Sequence, residues 1–351
     1  MATAPVAIAE WLGYATPPLW LEIVLDAVIA GVVVTIMLTT SALAGPWAKR
    51  KITAMFTDRI AINRNGPGGI TTIAADAVRL MSKELIIPDG ADRPAFDIAP
   101  AILPLSALLG FAVIPMGSGL QLADPEIGLV YVFAVSSIAS VGMVVGGYAS
   151  GSKYSLLGSM RSVAESIAYE IPLVVTAASI VLLAGTLRLS DIVAAQQGTL
   201  FTVAGVSIPA WYGFLNPFAL ALFLVTSLGE VGRNPFDIGE AGTELVGGYI
   251  TEYSSIYFVL FFLGEFLHIF LSGAVITTLF LGGPAGPGPA WLGIVWFGVK
   301  IWAVFLFTQW CRAAIPRVRV DQMLEIGWKG LLVLSFANLV LTAIIVGVIH
   351  T

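Results

Sequence analysis

Apolar runs of about twenty residues, the length a helix needs to cross the hydrocarbon of a bilayer, divide this chain almost from end to end. They fall at about 22–45, 98–117, 127–149, 166–185, 211–229, 254–281, 291–312 and 328–349. Inside hydrocarbon every backbone N–H and C=O must be satisfied without water, and a helix does this within one segment. The expected fold is therefore all-α: a polytopic transmembrane protein of eight helices forming one membrane domain over 1–351. Composition agrees, since 58% of residues are hydrophobic, 11% are charged and the mean hydropathy is +0.92. No soluble architecture accommodates that balance. The formal charge of −5 says little about partners, because in a membrane the side each charge occupies matters more. Residues 1–19 lack a basic stretch and contain Glu10, so no secretory signal is expected.

The cations sort between the two faces. Lys49, Arg50, Lys51, Arg59, Arg64, Arg79, Lys83 and Arg93 lie in the first connection, Lys153 and Arg161 in the third, and Arg233 in the fifth. Arg312, Arg317, Arg319 and Lys329 surround the seventh, whereas the even connections hold only Arg188. Positive residues stay on the cytoplasmic side. The odd connections are thus the inner face, and both termini should point outward from the cell's inner (plasma) membrane. The first connection, 46–97, is too long for a simple turn. It holds Asn63-Arg64-Asn65-Gly66-Pro67-Gly68-Gly69, then apolar Ile70, Ile73, Ala74, Val78, Leu80 and Met81 interleaved with Asp76, Arg79, Lys83 and Glu84. That pattern predicts a tight turn followed by an amphipathic helix lying on the membrane surface. The Gly/Pro-rich run at 282–289 reads as an outer loop without chemistry, and no internal repeat is visible.

The residues that carry chemistry are the charges near or within the apolar runs. The segment 230–253 holds Glu230, Asp237, Glu240, Glu244 and Glu252 between two spans. Charges so close to a bilayer core mark function by default, although a solvated loop is the plain alternative. Glu240 and Glu244 are spaced by one helical turn, where like charges repel and push a carboxyl pKa upward. Glu170, Glu265 and Lys300 lie inside apolar runs, where an unpaired charge costs ~2.5–3.5 kcal/mol on the most permissive scale. They must pair, stay neutral or line a hydrated path. For Glu170 and Glu265 the sharper reading is proton exchange, and the plainer one is a static buried pair. Lys300 can also snorkel to the interface. Arg161 and Glu165, one turn apart, suit a helix-stabilising pair. A single cysteine, Cys311, and only two histidines, His268 and His350, exclude a disulfide, a cysteine-ligated cluster and a histidine metal cluster within the chain.

Several motifs stand in fixed order between these spans: Asp58-Arg59-Ile60, Gly66-Pro67, Ala75-Asp76, Lys83-Glu84, Ser152-Lys153-Tyr154-Ser155-Leu156-Leu157-Gly158, Arg161 and Tyr169-Glu170. After them come the acidic run to Tyr253, Phe261-Phe262-Leu263-Gly264-Glu265, Pro316-Arg317-Val318-Arg319-Val320-Asp321-Gln322 and Trp328-Lys329. In this order the chain, from about 20 to 349, resembles the membrane-embedded H subunit of respiratory complex I, the proton-pumping quinone oxidoreductase. The resemblance implies a heel subunit, without a redox centre, that joins the redox arm to the membrane arm. Its inner loops and surface helix would form the floor and entrance of a quinone chamber. By the same resemblance Arg50, Arg59, Asp76, Asp237, Arg312 and Arg317 belong near the quinone path, and Glu170, Glu230, Glu240, Glu244, Glu252 and Glu265 to an acidic proton relay, with Lys300 as a further intramembrane charge. Quinone is the implied substrate, with iron–sulfur clusters and flavin only in partner subunits. The implied partners are soluble iron–sulfur subunits, small membrane subunits, antiporter-like subunits and membrane lipids, and not nucleic acid.

The chain departs from that family's usual pattern in several places. Lys49 stands where an acid is usual, Ala61-Ile62 and Thr72-Ile73 replace Gly-Pro and Gln-Pro, Gly239 replaces a proline, Gly242 a glutamate, and Glu165 a glutamine. The alternative reading is the membrane anchor of an energy-converting hydrogenase. The acidic run and the Pro-Arg-x-Arg-x-Asp-Gln segment favour the quinone enzyme. A secondary transporter would show paired repeats in its two halves. Arg50, Arg59, Arg312 and Arg317 flank both ends of the inner face and are expected to form the polar mouth of a quinone tunnel, the plain alternative being ion pairs with Asp58 or Asp321. In cysteine-accessibility labelling of sealed membranes, positions 233 and 188 should react from opposite sides. Labelling from one side overturns the topology.

Overall fold

An unbroken run of helix formers carries the first span well beyond its apolar part. In this computed structural model, which describes residues 19–350 apart from 118–119, 204–205, 240–243, 288 and 290–291, α1 (Leu19–Thr39) passes through a π-helical turn, Thr40–Ala44, into α2 (Gly45–Phe56). The rod ends where Asp58 takes a left-handed conformation. The expected turn follows, with Gly66, Gly68 and Gly69 all at positive φ, a conformation that costs glycine little. A β-carbon at Gly69 would run into the Ile62 carbonyl, and the Trp47 Nε1–H donates to the Gly68 carbonyl at 2.9 Å. The turn is thereby stapled to α2 and launches α3 (Ile70–Met81), of which only Ile73 is buried.

Two helices, α4 (Arg93–Phe111) and α5 (Gly128–Ala149), form an antiparallel pair. The next, α6, runs from Lys153 to Ala184 and starts 13 residues before the expected 166. Its first half is too polar for a hydropathy window, yet Ser155, Ser159, Ser162 and Ser166 recur at helical spacing and are buried, so this face turns into the bundle. Gly185 caps α6 in the left-handed conformation.

The loop 186–210 contains α7 (Leu189–Ala195) and an antiparallel hairpin of β1 (Thr199–Val203) and β2 (Val206–Pro209), in which Phe201 faces Ile208 and Val203 faces Val206. This hairpin departs from the all-α expectation. Its segments are rich in β-branched residues, which suit a pleated strand.

The expected span 211–229 is broken. Asn216 precedes a proline, leaves the helical region and accepts the Ala219 N–H at 3.0 Å, dividing α8 (Tyr212–Leu215) from the 14-residue α9 (Pro217–Glu230). Seven helices among the described residues are long and apolar enough to cross a membrane, in place of the eight expected. At 1.5 Å per residue α9 reaches only about 21 Å. It starts beside the end of α10 (Ser255–Phe280), where Gly213 lies against the Phe280 carbonyl, and Asn216 donates to Thr342. It finishes in the acidic segment.

The centre of the bundle is α10, the most buried of the seven, and α11 (Gly293–Ala314) packs on it with the Phe270 and Phe305 rings stacked 4.7 Å apart. The chain closes with α12 (Val320–Glu325), a second π-helical turn, Ile326–Leu331, and α13 (Leu332–His350).

Small residues let the helices meet backbone to backbone, as lipid-embedded packing requires. A β-carbon at Gly158 of α6 would lie 2.7 Å from the Gly248 Cα, in the Gly248–Ile250 turn that ends the acidic segment. Gly158→Val should therefore lower stability by about 1–3 kcal/mol, the range for overpacking. Gly31→Ala, with open space around it, should be neutral. Thermal unfolding in detergent checks the contrast, and equal effects would remove the close contact.

Candidate functional site

Helical periodicity assembles a polar interior in an otherwise apolar bundle. Ser162, Ser166 and Glu170 follow one face of α6, Glu265, His268 and Ser272 one face of α10, and Ser136, Ser137 and Ser140 one side of α5. With Glu230 at the end of α9, all of these except Ser162 line a cavity of about 70 Å³. A second cavity of about 50 Å³ is lined by Ser162, Glu165, Ser166, Glu230, Asp237 and Glu265, so the two share Ser166, Glu230 and Glu265. Their linings extend from Asp237, in the acidic segment, to His268 inside the bundle. Glu170 acts on Glu230 as a like charge and Ser136 hydrogen-bonds it.

The partner that Glu265 requires comes from the acidic segment itself. After α9, Gly232 takes a left-handed turn and the Arg233 N–H returns to the Leu228 carbonyl at 3.0 Å, sending Arg233 into the bundle. Its Nη1 lies 2.7 Å from Glu265 Oε1, with the two side chains 2% and 12% exposed, and its guanidinium sits 5.0 Å from the Phe266 ring centre. Lys49 lies 5.4 Å from both the Phe262 and Phe266 rings, and with Arg312 adds positive charge around Glu265. The base at position 49 thus faces this carboxylate.

The other expected residues divide into pairs and outliers. Arg50 meets Asp76 at 2.7 Å, tying α2 to α3, with Arg79 3.5 Å from the same carboxylate. Arg317 meets Asp237 at 3.2 Å, beside a Val318 N–H to Pro235 C=O bond of 3.0 Å. The partners of these two arginines are therefore Asp76 and Asp237, not Asp58 or Asp321. Arg59 is exposed at the end of α2.

Arg161 pairs with Glu244 at 2.6 Å, tying the middle of α6 to the acidic segment. Glu244 stands in a turn, and Glu240 lies outside the described residues. Glu252 is half-buried just before α10. Lys300 is absent from both cavity linings. Its Nζ donates to the carbonyls of Leu281, Gly283 and Ala285 at 2.6, 2.9 and 2.6 Å and lies 4.3 Å from the Trp211 ring centre, which uses all three ammonium donors at the far end of α10.

Sequence reasoning missed Arg233 as the buried counter-ion, the serine faces, and the Tyr253 clamp. The Tyr253 ring stacks on Phe96 at 4.1 Å and its hydroxyl donates to the Gly146 carbonyl at 3.1 Å. Burial first, then the Asp97 carboxylate and Tyr257, push the Tyr253 phenol above its ordinary range and keep it a neutral donor. The serine spacing on α6 was the readable signal. Among the described residues no three His, Cys, Asp or Glu side chains converge as metal ligands.

A profile of the NADH dehydrogenase family matches residues 28–343. The chain belongs to this family. It is 38% identical to the H subunit of NADH-quinone oxidoreductase from Thermomicrobium roseum over 338 residues, 93% of this chain and 97% of that relative. It is 41% identical to the corresponding Dehalococcoides mccartyi protein over 297 residues, 85% and 80% of the two chains. With the Bacillus thuringiensis counterpart the identity is 43% over 309 residues, 86% and 88%. The arginine that pairs with Glu265 and the carboxylates of the acidic segment all lie within the region matched by the family.

Removing one partner of a buried pair strands the other charge, at a typical cost of about 3–5 kcal/mol. Arg233→Met should therefore sharply reduce the folded protein recovered from membranes, and adding Glu265→Gln should restore most of it. Failure of the double variant to exceed the single one would show that the pair is not what holds the segment.

Proposed function

We propose that this chain is the membrane subunit that couples quinone reduction to proton translocation in an NADH-quinone oxidoreductase, joining the redox arm to the membrane arm. The observation that supports the proposal is the pair of adjoining cavities, sharing Ser166, Glu230 and Glu265, whose linings include Asp237 at one end and Glu170 at the other. A single bundle thus has a charged inner mouth and an acidic interior, and quinone chemistry at the mouth consumes protons that the interior can supply or sense.

The tunnel mouth is formed by Arg50, Arg59, Arg312 and Arg317 with Asp76 and Asp237. Guanidinium groups donate to a quinone oxygen and stay charged, while the carboxylates hold two of them in place. The surface helix α3 lies in the interface with Ile70, Val78 and Met81 toward lipid, and α9, helped by α8, makes an eighth crossing that leaves both termini outside. The redox cofactors belong to partner subunits. Soluble iron–sulfur subunits dock on the inner face, and small and antiporter-like membrane subunits flank the bundle.

Within the path, Glu170, Glu230, Glu240, Glu244 and Glu252 act as one titrating set. Carboxylates crowded at a low-dielectric boundary cannot all ionise cheaply, so they share protons, and a charge change at the quinone shifts their occupancy. Glu265, neutralised by Arg233, fixes the field in which the set titrates, and Arg161–Glu244 connects that field to α6. The acidic segment, with its five carboxylates, favours this reading over a hydrogenase anchor.

Glu170→Gln and Glu244→Gln remove titrating groups at nearly constant shape. In assembled complex each should lower proton-coupled quinone turnover about a hundredfold, at the low end of proton-transfer contributions. Full turnover with full proton stoichiometry in both variants would reject the relay.

A further inference from the structure

His268 is the one imidazole lining the acidic cavity, and neither the quinone mouth nor the carboxylate set uses it. It lies one helical turn beyond Glu265 on the same face of α10, on the side away from the acidic segment. Its Nε2 is 3.2 Å from the Leu103 carbonyl and 3.0 Å from Ser106 Oγ, both on α4. The Ser106 hydroxyl already donates to the Leu103 carbonyl at 2.8 Å, so toward the imidazole its oxygen can only accept. Two acceptors facing Nε2 require a proton there. The neutral ring is thereby held as the Nε2–H tautomer, and the lone pair stays on Nδ1.

A ring with its donor anchored and its acceptor uncommitted is a proton station. The charged and titratable groups that line its cavity are Glu265, paired with Arg233, on its own helix, Glu170 on α6, Glu230 on α9 and the Tyr249 phenol in the Gly248–Ile250 turn. From α5 come the hydroxyls of Ser136, Ser137 and Ser140, and α4 supplies Ser106 and the Leu103 carbonyl.

We propose that His268 is a proton-carrying residue of the coupling path, accepting at Nδ1 a proton released by Glu170 or Glu230 and returning it toward the Ser272 side of α10. In the transfer a carboxyl O–H bond breaks and an Nδ1–H bond forms, through a serine hydroxyl or cavity water. The Nε2–H bond is untouched, and the carboxylate left behind faces the new imidazolium. No electrons move. The proposal rests on the acidic-relay reading, since without protons in the cavity the imidazole has nothing to carry.

The test uses complete oxidoreductase reconstituted in vesicles, with His268→Gln, His268→Asn and Glu170→Gln compared for coupled turnover across pH. Both His268 variants keep an amide N–H for the Leu103 carbonyl and lose the basic nitrogen. The expected result is assembled complex with coupled turnover lowered about a hundredfold and one limb of the pH–rate profile lost. Wild-type turnover and profile in the His268 variants, with Glu170→Gln impaired, would overturn the role of His268 and leave the relay standing. Normal behaviour in all three would overturn the relay and His268 with it. A lowered rate with an unchanged profile, or failure of both His268 variants to assemble, would assign His268 to packing and overturn the proposal.

Discussion

The arrangement of the end of the bundle at the acidic segment depends on one ion pair, Arg233 with Glu265. A carboxylate largely buried in the middle of α10 needs a countercharge, and the nearest one in sequence is more than thirty residues away. Bringing Arg233 to it forces the chain to turn back at Gly232 and to carry the acidic segment over the end of the bundle. That route sets Asp237 against Arg317 and Glu244 against Arg161. Such a pair contributes little net stability compared with an apolar replacement, but losing either member is costly, so it specifies one arrangement of the loop more than it strengthens the fold.

The cavity follows from that constraint together with helix periodicity. Serines are small, and their hydroxyls bond back to their own helix, as those of Ser162 and Ser166 do to Gly158 and Ser162. They leave room while spending their hydroxyls on the backbone of their own helix. Three helices, α5, α6 and α10, that each turn a polar face inward cannot close completely, and the space left over collects Glu170, Glu230 and His268. Near-complete apolar packing returns toward the far end of α10, where Ala274, Leu279 and Phe280 are fully buried.

The far end is locked by different means. Gln196 is fully buried and uses both ends of its amide: it donates to the Ile192 and Thr278 carbonyls and accepts from the Tyr212 and Gly282 N–H groups. Lys300 gathers the carbonyls of the adjoining loop. The outer loop that looked featureless in sequence is thus organised by a charge reaching back from α11, and a lysine that invited a place in proton transfer has all its donors committed to backbone. The two ends of the bundle are in this way unlike: the end at the acidic segment is lined with titratable groups around the cavities, and the far end of α10 is closed by satisfied polar groups.

Sequence alone determined the helical class, the order of the long helices, the Gly66–Gly69 turn with the helix after it, and the set of charges worth explaining, because hydropathy over twenty residues and glycine's freedom at positive φ are local properties. It also carried the family, through motifs spaced against those helices. It overestimated the length of the 211–229 helix, since an apolar run does not reveal a break at Asn216-Pro217, and it missed the start of α6, whose serine face is polar in composition but inward in three dimensions. Which arginine meets which carboxylate was decided only by the tertiary structure. Arg50 with Asp76, Arg317 with Asp237, Arg161 with Glu244 and Arg233 with Glu265 are separated by between 26 and 83 residues, and no periodicity reports on distances of that kind. The same holds for His268, an ordinary residue in its own helix, whose tautomer is set by a serine and a carbonyl some 160 positions earlier in the chain.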